Sequence, residues 1–143
     1  MFRTDPPLYI GDRYQWRLGA PLLWETEHEA IAVPEGFLTD LASIPRAVQW
    51  LIPVNGKHRR AAILHDYLFV IQDRDRASVD RIFLDAMEAD GVSWLMRRTM
   101  YAAVRAGGWM AWGKNERALQ NNPLAFLESH GLTANDCIRN GYC

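Results

Sequence analysis

A chain of 143 residues is long enough to close one hydrophobic core, and 49% hydrophobic against 23% charged residues is an ordinary globular balance. The formal net charge of −1 gives no basic excess on which to expect nucleic-acid binding. No apolar run approaches the roughly 20 residues of a transmembrane helix, and the opening Met1-Phe2-Arg3-Thr4-Asp5-Pro6-Pro7 lacks the apolar centre of a signal peptide, so export by the general secretory route is not expected.

The first third reads as strands and turns. Tyr14, Trp16 and Leu18 alternate with Gln15 and Arg17, and Gly19 punctuates them. Leu22 to Trp24 and Ala30 to Val33 are short apolar runs bounded by Gly, Pro and charge, which are hairpin signals. Pro34-Glu35-Gly36 marks a turn, and a short helix is expected at Pro45 to Leu51 with Ser43 as its N-cap. From Lys57 the period changes to that of a helix, running to Val70. A polar turn at Gln72 to Arg76 leads to a second helix from Ala77 or Ser78 to Ala89, stopped by Asp90-Gly91. Ser93 opens a third helix to about Ala106, where Gly107-Gly108 interrupts it. The tail from Lys114 is expected to be irregular apart from a helix at Pro123 to His130.

The resulting expectation is a single α+β domain over 1–143. Residues 1–45 are mainly β, a hairpin or meander layer packed on a three-helix core at 57–112, and 114–143 form the tail. The two cysteines, Cys137 and Cys143, make no metal motif; free thiols are expected, a terminal clip being the alternative. Trp94, Trp109 and Trp112 are expected in the core, with an interfacial surface for lipid or a partner as the alternative.

Polar residues on apolar helix faces mark where chemistry is to be sought. His65 has Ala61 and Ala62 one turn before it and Leu68 and Phe69 one turn after, so it lies on the apolar stripe. Asp80 has Phe83, Leu84 and Met87 along its own stripe, where an unpaired carboxylate would be expensive. Two antiparallel helices turning near Gln72-Asp73 bring these residues to the same level. A carboxylate on one imidazole nitrogen fixes the tautomer and leaves the other as a general base; the plain alternative is a buried pair bracing the hairpin. Asp66 points about 100° away round the helix and is a candidate cation ligand. Asp40, in the run Thr39-Asp40-Leu41-Ala42-Ser43, is a second, unless it serves only turn and cap chemistry. Arg46 is a candidate for binding an anionic group. His58 precedes His65 in a His-x₆-His spacing, a weak zinc signal. Ser43 has no nucleophile-elbow context, and no Gly-rich phosphate loop is present.

The runs Gly36 to Arg46 and Ala61 to Leu68, with Asp80 to Leu84 and Met100 to Gly108, resemble a small family of phage and prophage proteins of unknown function. That resemblance implies synthesis in a bacterial host cytoplasm, association with a virion, and other phage structural proteins as partners. His65-Asp66-Tyr67, then Asp80, Phe83 and Met87, then Tyr101, Val104 and Gly107, are also similar to the helical core of phospholipases A2, nearest to bacterial and parvoviral forms. This second resemblance implies His65 as general base, Asp80 orienting it and Asp66 binding calcium; the hydrolase reading adds Asp40 as a second calcium ligand, Arg46 and Tyr67 as substrate contacts, and a lipid or envelope ester as substrate. The sequence departs from that family in having one glycine in Pro53-Val54-Asn55-Gly56-Lys57 and no cysteine on either helix. Three readings follow: a cation-assisted hydrolase; a non-enzymatic virion or tail-assembly component on the same core; and a zinc cell-wall hydrolase using His58, His65 and Asp66.

Overall fold

A computed structural model describes residues 1–10, 15–40 and 56–143. The expected helix at 45–51 with its Ser43 cap, the Arg46 anion site and the place of Tyr14 in the first alternation lie outside the described residues.

The α+β class is as expected: short antiparallel strands come first and helices follow. Strands β1 (Leu8–Ile10), β2 (Trp16–Leu18) and β5 (Leu38–Thr39) form one sheet in the order β1-β2-β5. β3 (Leu22–Glu25) and β4 (Ala30–Val33) form a separate hairpin. In the hairpin, Trp24 faces Ile31 and Leu22 faces Val33. These four are buried while Ala30 and Ala32 are exposed, the period of two that the sequence displays. Thr39 pairs with Trp16, which draws the end of β5 back under β2 and over the helices.

Helix α1 (Arg59–Ile71) is the centre of the molecule, with every residue from Ala61 to Ile71 buried. A helix apolar all round must be surrounded. It packs on α2 (Arg76–Ala89) through a tight turn and also touches β5, while α2 packs on α3 (Trp94–Gly107). Asp75 caps α2 by accepting the Ser78 N–H at 3.2 Å, and Ser93 caps α3 as expected, accepting the Met96 N–H at 3.4 Å.

The tail corrects the sequence reading. The chain does not turn irregular: the expected helix is present as α5 (Pro123–Ser129), but α4 (Trp109–Asn121) precedes it and α6 (Ala134–Arg139) follows. Gly108 stays in the right-handed helical region, so the chain resumes its helix after the junction. α4 buries only Leu119 fully, which leaves almost no periodic stripe to detect. It is held instead by polar contacts on the end of α1: Asn115 Nδ2 donates to the Phe69 carbonyl at 3.0 Å and Gln72 Nε2 to the Trp112 carbonyl at 3.0 Å. The thiol expectation also fails. Cys137 and Cys143 form a disulfide, because α6 turns Cys137 into the core and the chain folds back to a Cα–Cα distance of 5.4 Å. Tyr142, inside that loop, donates its hydroxyl to the Ile71 carbonyl at 2.6 Å. Of the three tryptophans after residue 90, only Trp112 packs inward, edge-on to Phe69 at 5.0 Å. Trp94 and Trp109 are more than 60% exposed.

The C-terminal helices are joined to the β layer at one seam. Leu38 N–H donates to the His130 carbonyl at 2.8 Å, and Gly131, at φ +73°, lies against Gly36. A Cβ at 131 would stand 2.0 Å from the Gly36 carbonyl oxygen, so only glycine fits there.

Candidate functional site

The two adjacent polar residues of α1, His65 and Asp66, point about 100° apart round the helix and so enter different surroundings. His65 looks towards α2. Its Nε2 lies 2.7 Å from Asp80 Oδ1, and neither side chain has any solvent exposure. The ring lies between Phe69 and Phe83, with centroids at 4.4 and 4.6 Å. The pairing expected from the two apolar stripes is therefore present. Burial holds the His65 pKa below its usual value, outweighing the pull of the Asp80 hydrogen bond. A neutral ring facing a carboxylate through Nε2 carries its proton there and keeps its lone pair on Nδ1.

The other oxygen of Asp80 is engaged by two guanidinium groups: Arg105 Nη1 of α3 at 2.7 Å and Arg76 Nη1 of α2 at 3.3 Å. Arg76 also donates to the carbonyls of Val104 and Arg105 at 3.1 and 3.3 Å, satisfying the end of α3. Gly108 makes room for this group, since a Cβ there would meet Arg76 Nη1 and Phe69 Cζ at 3.3 Å. Asp80 thus joins three helices at one point. Sequence reasoning missed Arg76 and Arg105. Arg76 was signalled by its place one helical turn before Asp80, whereas Arg105 reaches the carboxylate only through the tertiary packing of α3.

Asp66 looks towards β5, where the buried Thr39 hydroxyl donates to its carboxyl group. Burial first, and the neighbouring charge of Asp40 second, push Asp66 up to about 7, against the lowering effect of the Thr39 bond. Asp40 is exposed at the end of β5. The two proposed cation ligands are therefore electrostatic neighbours. Among the described residues, however, no group of three His, Cys, Asp or Glu side chains is placed to hold a metal ion. His58 stands at the start of α1, two turns from His65 and about 10 Å along the helix axis; burial lowers its pKa too. Tyr67, expected as a substrate contact, is instead packed in the core edge-on to Phe37 at 5.4 Å, and burial pushes its phenol up to about 12.

The raised Asp66 has a measurable consequence. Its folded-state pKa of about 7 exceeds the ordinary 3.8, so between these values the native state holds a proton that the unfolded chain has released. The stabilising contribution is present at acid pH, is lost as pH rises through this window, and stays lost above it. Asp66→Asn is expected to gain on the wild type over that interval, by a few kcal/mol at most on a scale of about 1.4 kcal/mol per pKa unit. Urea melts of both proteins at stepped pH check this. The opposing trend from His65, lost stability as pH falls through its unfolded value, is common to both and cancels in the difference.

With this geometry in view, the comparisons with known proteins place the chain. A family model described as "Protein of unknown function (DUF1353)" matches residues 16–104, and the chain belongs to that family. The match runs from β2 to α3 and includes Thr39, Asp40, His65, Asp66 and Asp80. The chain is also similar to "Uncharacterized protein y4jT" of Sinorhizobium fredii (strain NBRC 101917 / NGR234), 34% identical over 98 residues. That alignment covers 66% of this chain and 29% of the relative, so the chain spans under a third of the relative's length. No solved structure matches the chain. No helix among the described residues is long and apolar enough to cross a membrane.

Proposed function

We propose that this chain is a non-enzymatic assembly module of phage type, working through its surface, with the His65–Asp80 centre serving as the internal brace of its helical core. The observation that carries this reading is the closure of the centre. His65 and Asp80 have no exposure, and the Asp80 carboxylate is filled by His65, Arg76 and Arg105. A general base must reach the proton it removes. The resemblance of 36–46 and 61–68 to phage and prophage proteins supports the setting, a virion or tail assembly with other structural proteins as partners. The much greater length of the S. fredii relative supports use as one module among others.

A second reading, a phospholipase A2-like hydrolase acting on lipid or envelope esters, is favoured by one specific feature: Asp66, next in sequence to His65, has the carboxylate of Asp40 as an electrostatic neighbour. In that reading Asp66 and Asp40 would hold a calcium ion, which would supply Lewis-acid chemistry, and His65 would accept the proton of water.

Calorimetric titration of calcium into the wild type and Asp66→Asn, with ester hydrolysis assayed beside it, separates the two. The assembly reading expects no calcium binding and no turnover. It also expects His65→Ala to lower the melting temperature. Calcium binding abolished in Asp66→Asn, together with turnover lost in a folded His65→Ala protein, would overturn it in favour of the hydrolase.

A further inference from the structure

We infer that the outer face of α3 and α4 docks on a bilayer surface rich in anionic lipid. The inference goes beyond the assembly reading and does not depend on what His65 does. Hydrogen bonds from Gly108 N–H to the Val104 carbonyl (2.8 Å) and from Trp112 N–H to the Gly108 carbonyl (3.0 Å) carry the helical pattern across the junction between the two helices. Four large apolar side chains stand out from them: Trp94 (62% exposed), Leu95 (71%), Trp109 (63%) and Met110 (65%). Between them the exposed positions are Arg98, Thr99, Ala102, Ala106 and Gly107, so Arg98 is the one long polar side chain among them. Apolar side chains spread along one face in this way mark an interaction surface.

Charge decides what kind. From Trp94 to Arg117 the chain holds five basic residues and a single acid, Glu116, although the whole chain is net negative. Arg105 is committed to Asp80 and Arg97 to Glu88, but Arg98, Lys114 and Arg117 are exposed and enter no ion pair among the described residues. The occupant is therefore anionic. A concavity of about 400 Å³ on α4 is lined by Trp109, Met110, Ala111 and Gly113 together with Lys114 and Arg117. Cations beside apolar groups match a lipid phosphodiester with the head of its acyl chains. Exposed tryptophan with arginine and lysine on a helical surface is the composition of interfacial helices.

The test uses the full chain and two vesicle types, phosphatidylcholine alone and phosphatidylcholine mixed with phosphatidylglycerol, read by flotation and by tryptophan emission. The expected result is binding to the mixed vesicles with a blue shift, about tenfold or more weaker on the neutral ones, and weakened by added salt. Lys114→Glu/Arg117→Glu should lower the affinity about twentyfold or more. Trp94→Ser/Trp109→Ser should lose both affinity and blue shift while melting like the wild type. Absence of binding to mixed vesicles, equal binding to neutral ones, or binding indifferent to salt and to charge reversal overturns the inference. So does self-association that the tryptophan pair dissolves while vesicle binding is unchanged, which would assign the face to a second copy. The salt series needs no variant, so the inference stays open to refutation even if a substitution disturbs folding.

Discussion

Asp80→Ala is expected to cost about 3–5 kcal/mol of stability, the range found when one partner of a buried charged pair is removed, and to lower the melting temperature by about 10 °C or more. The size follows from what the carboxylate holds. His65 has no exposure and would keep a ring N–H with no acceptor. Arg76 and Arg105, 19% and 36% exposed, would keep their positive charges next to each other with no carboxylate between them. Arg76 still reaches the carbonyls of Val104 and Arg105, so the end of α3 stays satisfied and the loss is short of complete unfolding. Asp80→Asn, which keeps shape and one acceptor, is expected to lose less. A double-mutant cycle between His65→Ala and Asp80→Ala should give a coupling energy of about 1–3 kcal/mol. Single-variant losses that simply add would show that the two residues do not act as one unit.

Gly131→Ala is the second large effect. It should destabilise by about 3 kcal/mol or more, a size tied to steric conflict with fixed backbone. The new Cβ meets the Gly36 carbonyl oxygen at 2.0 Å and Leu38 Cγ at 3.2 Å, and the residue sits at φ +73°. Gly141→Ala supplies the control. Its φ of +77° is nearly the same, yet nothing lies within 4 Å of the added carbon. It should show only the conformational cost of about 1–2 kcal/mol. Equal losses in the two variants would mean that the seam between Gly36 and Gly131 yields without penalty.

The parts of this protein legible in its sequence were those governed by local rules. The helix start at Ser93 was marked by a side chain that satisfies a first free N–H group, whereas the second helix begins at Arg76, ahead of the expected Ala77 or Ser78, with Asp75 as its cap. His65 and Asp80 could be paired because each sat on an apolar stripe and the turn between their helices was short, so register along one determined register along the other. Arg105 and Thr39 could not be found this way: one arrives on α3 and the other from a strand, and no spacing rule connects either to its partner. α4 was hidden for a different reason. Its attachment is largely polar, from Asn115 to the Phe69 carbonyl and from Gln72 to the Trp112 carbonyl, and a helix that buries one residue writes no stripe into its sequence. Trp94 and Trp109 were misplaced because tryptophan is usually buried, and composition alone does not reveal an outward face. The disulfide required the turn of α6, which brings Cys137 and Cys143 together.

The bond from Leu38 to the carbonyl of His130 also sets an order of events during synthesis. The β layer leaves the ribosome early, but its last contact partner is some ninety residues away. At ordinary translation rates that is a delay on the order of ten seconds. Through that interval the outer edge of β5, at the Leu38 N–H, is uncovered. Contacts so distant in sequence are slow to close, and an edge strand left open is a place where two nascent chains can join by mistake. The crowded glycine pair at this seam therefore bears on yield as well as stability: the sooner 131 can seat against 36, the shorter the exposure.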